Sequence, residues 1–220
     1  MRKYSEIQKT VLKYAQTLYL DKLVAGTSGN ISIYDTEHNV VAITPGSEDY
    51  MKMTWERIVI IDLQGNVIEG SGKPSSEWRM HTEIYKRRSD IKAVVHTHSP
   101  YATGFAVLHE DIPVILLEMI PWIKGDIRVS ELALPGTVEV GTVALEVLRE
   151  RYACLLRNHG VIAVGETIQK AYTRAAYVED AAKIFYISKT AGTPHMIPEE
   201  MIRMMQVKLT PPLEKDVNLA

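Results

Sequence analysis

The chain has 220 residues, of which 46% are hydrophobic and 24% charged, and its formal net charge of −2 leaves no electrostatic footprint for nucleic acid or an anionic membrane. Its one cysteine, Cys154, excludes an intramolecular disulfide framework and fits a reducing cytoplasm. The N-terminus shows no continuous apolar signal segment, and the longest apolar stretch, 112–123, is broken by Pro113, Glu118 and Pro121 before the ~20 residues a bilayer span needs, so a soluble cytoplasmic protein is expected.

Ser5 and Gln8 have capping-box spacing, and Ile7, Val11, Leu12, Ala15, Leu18 and Tyr19 follow at helical spacing, which predicts a helix over 6–20. A loop rich in hydrogen-bond donors, 26–30, comes next. Residues 31–34 and 40–43 read as paired strands, and 58–63 with 67–69 as a hairpin around Gln64-Gly65-Asn66. Ser75-Ser76 supplies a cap for a helix reaching Arg87.

Then a short apolar strand, 93–95, runs into His96-Thr97-His98, and Ser99-Pro100 opens a helix to Leu108. Residues 113–118 read as a strand, and 119–135 as irregular. Thr137 starts a helix carrying Val140, Val143, Ala144, Val147 and Leu148 on one face. Strands follow at 153–156 and 161–164, with Cys154 a small buried hydrophobe in the first. A long helix capped by Thr167 runs to about Lys189, and a short one covers 198–205. Hairpin-joined strands outnumber helices, which predicts one domain with a mixed or mainly antiparallel sheet flanked by helices.

Three groups of residues suit chemistry. His96 and His98, two apart in a strand, point to one side, and His159 sits at a hairpin tip beside Gly160. Three imidazoles leave a metal's fourth position open to water or substrate; strand-end histidines also occur without metal. Lys73-Pro74-Ser75-Ser76-Glu77 offers hydroxyls, free N–H groups and a carboxylate at a helix start, which suits an anion or simply caps the helix. The loops 26–30 and 44–47 are dense in donors and match neither nucleotide-binding glycine motif, so they read as phosphate cradles or plain turns. His38, His109 and His195 read as solvated, and His81 as a surface or packed histidine.

Taken in order, Gly26-Thr27-Ser28-Gly29-Asn30, Ile43-Thr44-Pro45, Lys73-Pro74-Ser75-Ser76-Glu77, Val95-His96-Thr97-His98-Ser99 and Asn158-His159-Gly160 resemble the class II aldolase/adducin family, most of all its L-fuculose-1-phosphate aldolases. The resemblance covers nearly the whole chain. It implies a three-layer α/β/α fold on a largely antiparallel, mixed central sheet, forming a single domain over 1–220. It also implies one zinc, or another divalent cation, per subunit at His96, His98, His159 and Glu77, with Glu77 catalytic. Phosphate would lie on Asn30, Thr44, Ser75 and Ser76, with Gly29 and Ser47 as further candidates. Members are typically homotetramers with sites near subunit borders.

The implied reaction cleaves C3–C4 of a ketose 1-phosphate into dihydroxyacetone phosphate and an aldehyde, through an enediolate whose charge a divalent cation stabilises. The chain departs from the family at the aldehyde end. Residues 112–118, where such aldolases carry a proton-handling tyrosine, contain none, and neither does the tail after Pro198. Glu118 is the candidate replacement, and Gly46-Ser47 reverses the usual order of hydroxyl residue then glycine. An L-ribulose-5-phosphate 4-epimerase or a methylthioribulose-1-phosphate dehydratase is the alternative, although such epimerases tend to carry Asp where Glu77 stands. A non-catalytic adducin-like interaction protein is a third reading, but relatives of that kind can lose the histidines that this chain keeps.

Overall fold

A computed structural model describes residues 3–209. Seven strands, β1 (Asn30–Asp35), β2 (Val40–Ile43), β3 (Val59–Ile61), β4 (Val67–Glu69), β5 (Ala93–Thr97), β6 (Ala153–Leu156) and β7 (Gly160–Gly165), form one sheet in the order β4-β3-β2-β1-β5-β7-β6. Every pairing of named strands is antiparallel. The expected mixed character is confined to one isolated parallel bridge, Val129 to Leu155.

The strands are nearly continuous apolar runs because both faces of the sheet are covered. Ala93 and Val95 of β5 point into one core with α1 (Ser5–Leu20), α3 (Pro100–Leu108) and α6 (Ile168–Ala191). Val94, between them, points into a second core with α2 (Trp78–Arg87) and α5 (Val138–Leu148). Cys154 lies in that second core, fully buried, as its apolar neighbours predict. Each fully buried aliphatic side chain stabilises this arrangement by ~1.5–3 kcal/mol. The result is three layers, helices on both sides of the sheet.

Four local expectations need correction. Ser5 lies inside α1 and Tyr4 precedes it without a side-chain cap. Gln8 is no capping partner either: its Nε2 donates to the Ile58 carbonyl at 2.8 Å, across 50 residues of chain, because buried amides seek partners wherever packing places them. The helix after Ser75-Ser76 begins at Trp78, with Glu77 as its uncapped N-cap residue. Residues 113–118 form no strand; after an isolated bridge from Ile112 to Ile127 the chain enters a short helix, α4 (Met119–Ile123), inside the stretch read as irregular. Here the apolar residues pack into the first core without joining the sheet, so burial alone produced a strand-like composition. A last helix, α7, spans Glu199–Leu209.

Candidate active site

Sheet register assembles the site. Asn30 of β1 stands opposite His96 of β5, and Thr97 stands opposite Val161 of β7, so the starts of β1 and β7 meet the end of β5 at one edge of the sheet. His96 shares the face of Val94, the α2 side, and His98 follows two residues later. His159 sits in the three-residue connection between β6 and β7, where Asn158 takes a left-handed conformation (φ 53°) and the His159 N–H bonds back to the Leu156 carbonyl at 3.0 Å. Gly160 makes the convergence possible: a Cβ there would stand 2.4 Å from the Thr97 carbonyl oxygen and 3.0 Å from the His98 ring.

The three rings meet edge-on, with centroids 4.8, 4.8 and 5.1 Å apart. One nitrogen from each lies within 4.8 Å of the others. Glu77, at the start of α2, reaches the same point: Oε2 is 3.2 Å from His96 Nε2 and Oε1 is 3.3 Å from His159 Nε2.

Protonation logic tests whether a cation fits. His96 Nδ1 donates to the Val161 carbonyl at 2.8 Å, so in the neutral ring Nε2 carries the lone pair. That lone pair faces His98 Nε2 at 2.9 Å as well as the Glu77 carboxylate. Glu77 Oε1 is buried without a hydrogen-bond partner. Burial, then the neighbouring His96, holds the His98 ring at about 4, and burial with His96 does the same to His159, so both are neutral at pH 7. Burial raises the Glu77 carboxyl, but the neighbouring imidazoles of His96 and His159 and the Asn30 amide outweigh it and hold the group below its ordinary range. Unprotonated nitrogens and an ionised carboxylate converging on one point are the donor set of a borderline divalent cation.

Behind Glu77 lies a group that the sequence reading passed over. Asn30 Nδ2 donates to Glu77 Oε2 at 2.8 Å, while Asn30 Oδ1 is 2.5 Å from His81 Nε2. His81 is fully buried, and its Nδ1 is 2.7 Å from Ser32 Oγ. The available signal was His81 falling one helical turn after Glu77, on the same face of α2.

The loops expected to hold phosphate lie next to each other. Pro45 and Pro74 form a bridge, the Gly46 N–H donates to the Lys73 carbonyl at 3.1 Å, and the Ser75 N–H donates to the Thr44 carbonyl at 3.0 Å. Thr44 and Ser75 are buried, and their hydroxyls accept from the backbone N–H groups of Ile31 and Glu77. Ser76 and Ser47 are exposed beside them. Gly29 must be glycine, with φ +76° and its missing Cβ position 2.8 Å from the His96 carbonyl oxygen. Glu118 precedes α4, half-buried, in the layer across the sheet from His96. His109, exposed as expected, lies 2.6 Å from Asn158 Oδ1 beside the cluster's hairpin.

The buried imidazole of His81 makes a prediction about stability. Burial, then the neighbouring His96 ring, holds that ring at about 3, against ~6.5 in an unfolded chain. Between those values the unfolded chain binds a proton that the native chain refuses. Its contribution is therefore complete above pH 6.5 and is lost as pH falls toward 3, by up to ~1.4 kcal/mol per pH unit. Urea midpoints should fall between pH 7 and pH 4.5, and less steeply for His81→Phe; parallel slopes for the two proteins would disprove the assignment.

Comparison with known proteins agrees with this geometry. Residues 9–186 match the family described as Class II Aldolase and Adducin N-terminal domain. The 5-deoxy-D-ribulose 1-phosphate aldolase of Bacillus thuringiensis serovar kurstaki is 38% identical over 91% of this chain and 94% of its own length. A 5-methylthioribulose-1-phosphate/5-deoxyribulose-1-phosphate aldolase of Rhodospirillum rubrum is 37% identical over 86% of this chain and 84% of its own. A solved structure titled L-fuculose 1-phosphate aldolase superposes with a TM-score of 0.88 at 38% identity, covering 92% of this chain and 95% of that one. Among the described residues no helix is long and apolar enough to cross a membrane. The chain belongs to the class II aldolase and adducin family, and within it is one of the metal-dependent aldolases, a carbon–carbon lyase.

Proposed function

We propose that this enzyme is a zinc-dependent aldolase, a single domain working in the cytoplasm, that cleaves a ketose 1-phosphate of the L-fuculose or 5-deoxyribulose kind. The observation that carries the reading is the meeting of His96, His98 and His159 with a carboxylate 3.2–3.3 Å from two of them. The relatives' names support the substrate class, since each is a ketose 1-phosphate aldolase by title.

A divalent cation bound there supplies Lewis-acid stabilisation of the negative charge that develops on the substrate oxygens. Glu77 moves the proton at C3 of the dihydroxyacetone phosphate half as the C3–C4 bond breaks or forms. Asn30 keeps that carboxylate aimed through its 2.8 Å hydrogen bond. Thr44, Ser75, Ser76 and the amides around Gly29 and Ser47 bind phosphate; Asn30, expected among them, has both ends of its side-chain amide on Glu77 and His81 instead. From 5-deoxyribulose 1-phosphate the second product is acetaldehyde; from L-fuculose 1-phosphate it is lactaldehyde.

Leu132, Leu134 and Val138, in the chain segment beside the His159 hairpin, stand exposed, between 47% and 71%. A homotetramer with sites at its subunit borders would cover this surface and bring an acid for the departing aldehyde oxygen. Glu118, in the opposite layer of its own chain, is the candidate from a second copy.

The test is a coupled assay over phosphorylated ketoses with metal content measured alongside. Dihydroxyacetone phosphate should be released, release should stop in chelator, and zinc should restore it. Silence across the panel would sink the proposal. A substrate returned with C4 inverted would indicate an epimerase instead.

A further inference from the structure

We infer that His81 is a positioning residue for Glu77, acting through Asn30, and that its ring must carry the proton on Nε2. The inference rests on the proposed role of Glu77 and adds a residue that touches neither substrate nor cation.

The argument is one of donor direction. Asn30 presents Nδ2 to Glu77 Oε2 at 2.8 Å, where the carboxylate oxygen accepts. The other end of that amide, Oδ1, is then an acceptor, and its neighbour at 2.5 Å, His81 Nε2, must donate. A neutral imidazole has one N–H, which leaves Nδ1 as an acceptor facing Ser32 Oγ at 2.7 Å. The Ser32 hydroxyl gives its proton to His81, and Tyr85 Oη, 2.7 Å from Ser32 Oγ and 3.1 Å from the Ser32 carbonyl oxygen, has its one proton between those two acceptors. Three bonds run one way, Ser32 to His81 to Asn30 to Glu77.

Every member of this chain is buried, from 0% exposure at Ser32 and His81 to 8% at Glu77, so water is not at hand to satisfy a group that turns the wrong way. Were His81 protonated on Nδ1, its Nε2 lone pair would oppose Asn30 Oδ1. Turning the amide over to relieve that would set Oδ1 against the carboxylate. From His81 to Glu77 only one arrangement satisfies the atoms. Scaffold geometry supports it: Ser32 and Asn30 lie on one face of β1, and His81 and Tyr85 one turn apart on α2. The sheet and the helix thereby fix the carboxylate orientation from behind, leaving its Oε1 toward the histidine cluster. Outer partners of this kind are worth ~10–100-fold in activity or metal affinity.

Two measurements test it on the full-length chain. In ¹⁵N-histidine-labelled protein, as purified and after chelation, His81 should show protonated Nε2 and bare Nδ1 at pH 7; the opposite tautomer overturns the inference whatever the enzyme's activity. In the ketose 1-phosphate assay, His81→Phe keeps the ring volume without a donor and should lower kcat ~10–100-fold with KM within about twofold. His81→Gln, which restores an N–H donor, should recover most of that loss. A folded His81→Phe protein with wild-type kcat would overturn the inference, as would equal losses in Phe and Gln variants matched by equal losses of Tm. If wild type releases no dihydroxyacetone phosphate from any substrate, the proposed function fails, and the tautomer still decides the structural claim about His81.

Discussion

Replacing His96 by alanine is expected to strip the metal and lower kcat/KM by about 10³-fold or more, with the fold retained. His96 is the central ligand of the proposed set: its Nε2 faces both His98 and Glu77, and its Nδ1 is locked on Val161. Removing it leaves two half-buried imidazoles and a carboxylate without a common focus. Lewis-acid stabilisation worth several kcal/mol is lost with the cation, and ~1.4 kcal/mol corresponds to each tenfold in rate. Folding is expected to survive because His96 lies near the C-terminal end of β5, after Ala93, Val94 and Val95, whose apolar contacts tie the strand into both cores. Metal analysis, circular dichroism and turnover on one preparation check all three parts. Wild-type turnover by a metal-free His96→Ala protein would refute the account.

Glu77→Gln is expected to separate proton transfer from metal binding. Glutamine fills the same space and still offers Asn30 an oxygen to bond, and the three histidines remain. Metal content should fall less than in His96→Ala, while kcat should drop by ~10²–10⁴-fold, the usual worth of a positioned acid–base group. A partial reaction isolates the step. Dihydroxyacetone phosphate alone, held in D₂O with wild-type enzyme, should take up deuterium at the carbon that would attack the aldehyde. With Glu77→Gln this exchange should slow in parallel with kcat. Exchange at the wild-type rate would move the proton-handling role to another residue.

The sequence was most legible where local rules and long-range packing agree. The histidine strand, Ser99-Pro100 opening α3 and Thr167 capping α6 each came out in place, the last with its hydroxyl accepting from Lys170 N–H at 3.3 Å. The expected gathering of His96, His98, His159 and Glu77 rested on motif order, and sheet register is what produces it. Two kinds of feature escaped. The run 113–118 was taken for a strand because composition reports burial and not hydrogen bonding; here Val114, Ile115 and Leu116 pack into the first core outside the sheet. His81 was passed over because a buried histidine is defined by partners from β1, some 50 residues away in sequence, whose approach no local pattern reveals. Gln8 misled for the same reason, spending its amide on Ile58 rather than on its own helix.

Cys154 gives the protein a native clock for its own opening. It is the sole thiol of the chain, completely covered at the centre of the α5 face, with Sγ 3.9 Å from the Ala144 carbonyl oxygen and its pKa raised by burial. A reagent that alkylates thiolates can reach it only when β6 parts from α5. The rate at which intact protein becomes labelled therefore counts excursions of that part of the molecule, at equilibrium, without denaturant and without an introduced probe. Since β7 and the hairpin bearing His159 hang on β6, the same count, taken with and without zinc, reports how far a bound ion restrains the sheet edge that holds it.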